Sequence, residues 1–285
     1  MKNLVKARNL SKRFGKVQAL DGVDLEIPEG RIVGLIGPNG AGKTTALKAL
    51  LGLTPFTGEL EVMGLDPRRE RHRVMQDVCF IADVAVLPRW LKVRQALQLA
   101  EALHPKFSRD RAEQLLAASS VRLDSRIGQL SKGMVTQLHL ALVMAIEAKL
   151  LVLDEPTIGL DIIYRKDFYT TLLNDYFDEG RTILVTTHQV EEIEHILTDV
   201  LFINQGRIVL NESMERIGER FAQVSVGPEK AAAARELQPF YEQEMFGRKV
   251  FLYQDRAPEQ LARLGETRVP GIADLFVAKI KGAVA

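Results

Sequence analysis

A β-branched run at residues 31–36 leads into Gly37-Pro38-Asn39-Gly40-Ala41-Gly42-Lys43-Thr44-Thr45, and an Ala- and Leu-rich segment follows, ending at Gly52 and Pro55. This stretch constrains the fold more than any other. It fits the pattern of glycine, four residues, then Gly-Lys-Ser/Thr, and it lies between a predicted strand and a predicted helix, the context that gives the pattern its meaning. Glycine lets the backbone turn so that successive N–H groups face one anion, and the positive end of the following helix adds to the attraction. Lys43 is then placed to neutralise β- and γ-phosphates, and Thr44 to offer a hydroxyl to Mg²⁺. Such a loop binds a nucleotide and calls for an α/β sheet. It does not say what the nucleotide is used for.

A second constellation lies downstream. The apolar run 150–153 ends in Asp154-Glu155, two carboxylates where a core strand would need a cation or a proton to tolerate them. Asp154 is a candidate metal-binding residue, directly or through water. Glu155, on the other side of the pleat, is a candidate for polarising the attacking water. An ordinary strand end reaching solvent is the alternative, and the phosphate loop in the same chain weighs against it. Thr186-Thr187-His188 ends another predicted strand, where open α/β sheets place ligands, and this makes His188 a candidate γ-phosphate contact. A lone histidine is otherwise more often structural.

Between these motifs the hydrophobic period alternates. Segments 4–7, 23–27, 31–36 and 59–63 read as strands, and 88–149 reads as a helical insertion broken near His104-Pro105 and Gly128. Segments 150–153, 182–186, 200–203 and 207–210 read as further strands, with helix-like stretches at 161–179 and 189–196 between them. This alternation predicts a mainly parallel core sheet. Motifs end near 212–220, so 1–212 is read as one domain and 213–285 as a small α+β module. The module has strands at 222–226 and 250–253, helix-like stretches at 229–237 and 257–264, and an amphipathic final helix at 272–280. That helix packs on its own module or contacts a second copy.

The 285 residues carry 38 Lys+Arg against 37 Asp+Glu, so no overall field draws the chain to nucleic acid. The run Pro67-Arg68-Arg69-Glu70-Arg71-His72-Arg73 is read as a solvated face. Cys79 is the single cysteine, which rules out an internal disulfide. The first residues lack the apolar core of a signal peptide, and no stretch reaches the about 20 apolar residues needed to cross a bilayer. Cytoplasmic residence without direct membrane insertion is the expectation.

Together these motifs resemble the ATPase subunit of ABC transporters over residues 1–210. Leu130-Ser131-Lys132-Gly133-Met134 looks like the signature motif of that family, about 20 residues before the acidic pair. The resemblance implies a P-loop ATPase domain with a mixed-sheet core, an antiparallel β subdomain and an α-helical subdomain, here with a small C-terminal α+β module. It places Phe14 against adenine and Gly37 through Thr45 around the phosphates. Thr44 and Asp154 fall on Mg²⁺, Glu155 at the catalytic base and His188 at the switch position. Ser131 and Gly133 match the phosphate contacts supplied by a second subunit, and Asp161 the D-loop at the dimer interface. Asp83 stands where the family usually has glutamine, and its expected role is a water-mediated metal contact. Met134 also replaces a common glutamine.

The resemblance further implies two ATPase subunits, identical or paralogous, closing on two ATP molecules. It also implies a separate transmembrane permease whose coupling helix meets the surface around residues 83–97, with the protein peripheral to the inner face of the membrane. Export is favoured over import. The competing readings are a non-transport ABC ATPase acting in translation, repair or regulation, and a slow nucleotide-dependent switch.

Overall fold

The computed structural model describes residues 2–81, 87–157, 162–178 and 180–281. The chain opens with a long hairpin, β1 (Asn3–Phe14) and β2 (Val17–Pro28). Along β2, Val23, Leu25 and Ile27 are buried while Asp24 and Glu26 point outward, the period-two pattern of a sheet with one wet face. Then come β3 (Ile32–Ile36), buried at every residue, and α1 (Lys43–Leu50), before β4 (Thr57–Val62) pairs with β1 to complete a three-stranded antiparallel sheet.

A short α2 (Arg71–Val74) leads to β5 (Val78–Ile81). Three helices follow, α3 (Val93–Leu103), α4 (Arg109–Ala117) and α5 (Lys132–Met144), around a core of their own that includes Leu97, Ala112, Leu116 and Leu138. The α3 helix stops just before His104-Pro105, because proline cannot continue a helix and disfavours helical geometry in the residue before it.

The chain returns to the central sheet with β6 (Leu150–Asp154), α6 (Ile162–Thr171) with its π-helical continuation Leu172–Tyr176, β7 (Thr182–Thr187), β8 (Asp199–Asn204) and β9 (Arg207–Ser213). The six strands lie in the order β5-β6-β7-β3-β8-β9, parallel except for β9. Neighbouring residues of one strand enter opposite cores. Leu184 joins the layer formed with α1 and the first hairpin, while Ile183 and Val185 join the layer formed with α5 and α6. Burial on both faces explains why these strands read as continuous apolar runs.

The remainder comprises α7 (Met214–Arg220), β10 (Phe221–Val226), α8 (Ala231–Glu236), β11 (Tyr241–Met245), β12 (Arg248–Gln254), α9 (Pro258–Ala262), β13 (Glu266–Arg268) and α10 (Ile272–Lys281). Its strands form a four-stranded antiparallel sheet in the order β11-β12-β10-β13. The final helix is not confined to this sheet. Ile272 and Leu275 are buried in the same cluster as Ile193 and Phe202, Phe276 meets Phe202 edge to face at 5.1 Å, and Ala278 packs with Val250 and Leu252.

One expected helix is absent. Residues 189–196 form two 3₁₀ turns, Val190–Glu192 and Glu194–Ile196. Buried Val190, Ile193 and Ile196 recur every third residue, which suits three residues per turn better than 3.6. Among the described residues no helix is long and apolar enough to cross a membrane.

Candidate nucleotide-binding site

Strand register assembles the site. Ile36 of β3 pairs with Thr187 of β7, and Asp154 of β6 pairs with Thr186 of the same strand. The next residues along the chain, Gly37, Glu155 and His188, therefore emerge together at the carboxyl edge of the parallel sheet, where open α/β folds bind ligands.

The loop beyond β3 holds its shape only with glycine. Gly42 has φ +113°, and a Cβ there would sit 2.5 Å from the Ala19 carbonyl oxygen; a Cβ on Gly37 would sit 2.4 Å from that of Ile203. Residues 38–45 with Val17, Ala19 and Glu155 line a cavity of about 240 Å³. Lys43, the first residue of α1, is buried, and its Nζ donates to the Gly37 carbonyl at 2.7 Å. Thr44 is exposed beside it.

The same ammonium lies 3.2 Å from Glu155 Oε1, and Glu155 Oε2 lies 2.9 Å from His188 Nδ1. Glu155 does not continue the pleat of β6. Its φ of +51° turns it off the strand end, and its N–H donates to both the carbonyl and the hydroxyl of Thr186, at 3.2 and 3.1 Å. The Thr186 hydroxyl, fully buried, donates in turn to Asp154 Oδ1 at 2.6 Å. One hydroxyl thus holds the Asp154 carboxylate and the backbone of Glu155. Sequence reasoning treated Thr186 only as part of a strand end, although a threonine directly before Thr187-His188 in a buried strand was the available signal. Arg165 was also missed. From α6 it donates to Gln189 Oε1 at 3.0 Å and to Glu192, bracing the segment after His188.

Other predicted residues lie elsewhere. Phe14, at the end of β1, is 51% exposed with the Lys12 ammonium 4.7 Å from its ring centroid. Its pairing partner Val17 lines the cavity, while Phe14 itself does not. Ser131 is the N-cap of α5, its Oγ accepting from Met134 N at 3.3 Å, and Gly133 is buried in the first turn. Neither lines the cavity. Asp83 and Asp161 lie outside the described residues.

Residues 20–158 match the family model described as ABC transporter. The chain is 34% identical over 274 residues to the Nod factor export ATP-binding protein I of Burkholderia lata, spanning 90% of this chain and 88% of that protein. This chain belongs to the ABC transporter family. It is likewise 34% identical over 212 residues to the daunorubicin resistance ATP-binding protein DrrA3 of Streptomyces coeruleorubidus, spanning 72% of this chain and 67% of the relative. A solved structure described as the ATP binding subunit of an ABC transporter superposes with a TM-score of 0.67 at 26% identity, covering 76% of this chain and 92% of that one. As an ABC ATP-binding subunit the chain binds nucleotide and hydrolyses ATP, and the three-stranded sheet, mixed central sheet and helical layer are those of the ABC ATPase fold.

Proposed function

We propose that this chain powers an exporter through two composite ATP sites shared by two ATPase subunits. The carrying observation is the division of the motifs: the Lys43–Glu155–His188 line sits at one cavity, and Ser131 and Gly133 are not part of its wall.

The phosphates of ATP lie along the N–H groups of residues 39–45, with Phe14 and Val17 toward the base. Lys43 exchanges its contact with Glu155 for the phosphates, which frees the carboxylate to orient water and take its proton. His188 contacts the γ-phosphate. Mg²⁺ fits the donors present, a hydroxyl on Thr44 and the second carboxylate oxygen of Asp154, because Mg²⁺ takes few protein ligands and completes its shell with water and phosphate oxygen. Bound there, it would neutralise phosphate charge. Asp83 is the proposed water-mediated neighbour of that ion.

Ser131 and Gly133 of a second subunit, identical or paralogous, complete the site across an interface that includes Asp161. ATP therefore favours the closed pair, and hydrolysis reopens it. A separate transmembrane permease converts this closure into transport. It docks near residues 83–97, where Trp90 is 73% exposed, and holds the protein at the inner face of the membrane. Export is the direction of the Nod factor relative and drug resistance the role of the daunorubicin relative; the cargo of this chain is selected by the permease. Residues 213–285 act as an accessory module on the ATPase domain, 1–212.

Mixing two inactive variants tests the shared site. Lys43→Ala and Ser131→Arg should each lack ATPase activity, and their mixture should regain part of it, because one of the two composite sites is then intact. No recovery in a mixture shown to form heterodimers sinks the proposal. Co-purification with ribosomes instead of a membrane protein would remove the transport role.

A further inference from the structure

We infer that Glu194 is a positioning residue for the segment that carries His188, and that the C-terminal helix α10 is the anchor on which it acts. The inference rests on the proposed contact of His188 with the γ-phosphate and extends it to the C-terminal module.

The segment after His188 has a loose internal frame. Its two 3₁₀ turns combine bonds of 3.0 Å, Ile193 N to Val190 O and Ile196 N to Ile193 O, with bonds at the long limit, Glu192 N to Gln189 O and Leu197 N to Glu194 O, both 3.4 Å. Contacts from outside also set its position. Arg165 holds Gln189 and Glu192 on one side. On the other, Val190, Ile193 and Ile196 are buried in one cluster with Ile272 and Leu275 of α10.

Glu194 adds the directional contact. Its Oε1 accepts the backbone N–H of Ile272 at 3.0 Å. Ile272 opens α10, and an N–H in the first helical turn has no partner within the helix. A carboxylate supplied from another part of the chain satisfies that donor at the positive end of the helix, in a charge-assisted bond. The next helical bond, Leu275 N to Gly271 O at 2.9 Å, starts from this fixed point.

The far end of α10 belongs to the second sheet. Lys279 Nζ donates to Gln254 Oε1 at 2.7 Å and lies 4.8 and 5.0 Å from the ring centroids of Phe240 and Phe221. Ala278 is buried against Val250 and Leu252. A displacement of the β10–β13 sheet therefore moves α10, and α10 is seated on a residue six positions beyond His188. Through this strut the C-terminal module sets how His188 is presented to Glu155 and to the γ-phosphate.

The test uses the full chain with Glu194→Ala and Glu194→Gln, reading kcat and KM for ATP and the hydrogen exchange of peptides covering 188–197 and 272–281. Glu194→Ala should lower kcat about tenfold, the scale of one charge-assisted hydrogen bond, with KM for ATP changed less than twofold. Exchange should rise in both peptides together. Glu194→Gln, which keeps an acceptor oxygen, should restore at least half of the loss. Faster exchange confined to 272–281, unchanged kcat, or a Gln variant no better than Ala would each overturn the inference. His188→Ala is measured alongside: normal turnover there removes the reading of His188 itself, whereas impaired His188→Ala beside a normal Glu194→Ala removes only the coupling.

Discussion

Lys43 Nζ stands 3.2 Å from Glu155 Oε1, with the two side chains 7% and 20% exposed. The cation of the phosphate loop and the proposed base are thus each other's counter-charge, although 112 residues separate them. Lys43→Ala should weaken ATP binding roughly 10- to 100-fold, the range for losing one hydrogen bond to a charged group. Equilibrium binding of a fluorescent ATP analogue measures it, and unchanged affinity would contradict the placement of phosphate at Lys43.

Glu155→Gln keeps the shape of the side chain and one acceptor oxygen, turns the other oxygen into an NH₂ donor, and removes its basicity. Hydrolysis should fall roughly 10²- to 10⁴-fold, the usual contribution of a positioned acid or base. ATP binding should persist, because one less carboxylate competes for Lys43. Single-turnover hydrolysis and the elution volume with ATP check both halves: slow turnover with accumulation of dimer is expected.

Thr186→Val preserves side-chain volume and removes the hydroxyl that donates to Asp154 and accepts from Glu155 N. The variant should lose about 1–3 kcal/mol of stability through the unpaired groups it leaves, read from urea denaturation. It should also lose turnover more than ATP affinity, since the Asp154 carboxylate and the Glu155 backbone lose their common support.

Cys79 is buried on β5, and burial pushes its thiol up to about 12. At pH 8 its thiolate fraction is on the order of one in ten thousand, so iodoacetamide should leave the native chain unlabelled and modify it only in denaturant. Rapid native labelling would place Cys79 in a more open environment.

Arg220 grips Asp255 with two bonds of 2.8 Å and holds its carboxyl down at about 2. The ordinary value is near 4, so the folded state binds this proton less readily than the unfolded chain. The stabilisation is therefore fully present above about pH 4 and disappears as pH falls toward 2. An NMR titration of Asp255 should show the low value in the native chain and a return to the ordinary range in Arg220→Gln.

Much of the site was legible because phosphate chemistry demands particular residue types at fixed spacing. The glycines of 37–42, Lys43 and Thr44 form one local motif, and the turn they make is fixed by close contacts at Gly37 and Gly42. Asp154-Glu155 was legible for a similar reason, as two charges at the end of a strand otherwise apolar throughout. The segment 189–196 misled because its apolar residues fit a helix nearly as well as the 3₁₀ turns they form. The strands β11 and β13 gave little signal, since Tyr241–Met245 and Glu266–Arg268 are largely polar and lie at the edges of their sheet.

The sequence by itself determined the local units: a phosphate loop between strand and helix, an acidic strand end, a histidine after paired threonines, and alternating elements for a parallel sheet. Tertiary structure decided their conjunction. The register of β3, β6 and β7 brings Gly37, Glu155 and His188 to one edge, Thr186 ties the two acids together, and Glu194 meets a helix that begins 78 residues later. Local chemistry depends on neighbours along the chain, where composition is readable. These contacts depend on strand order and on which buried faces meet, and both are settled only when the whole core packs at once.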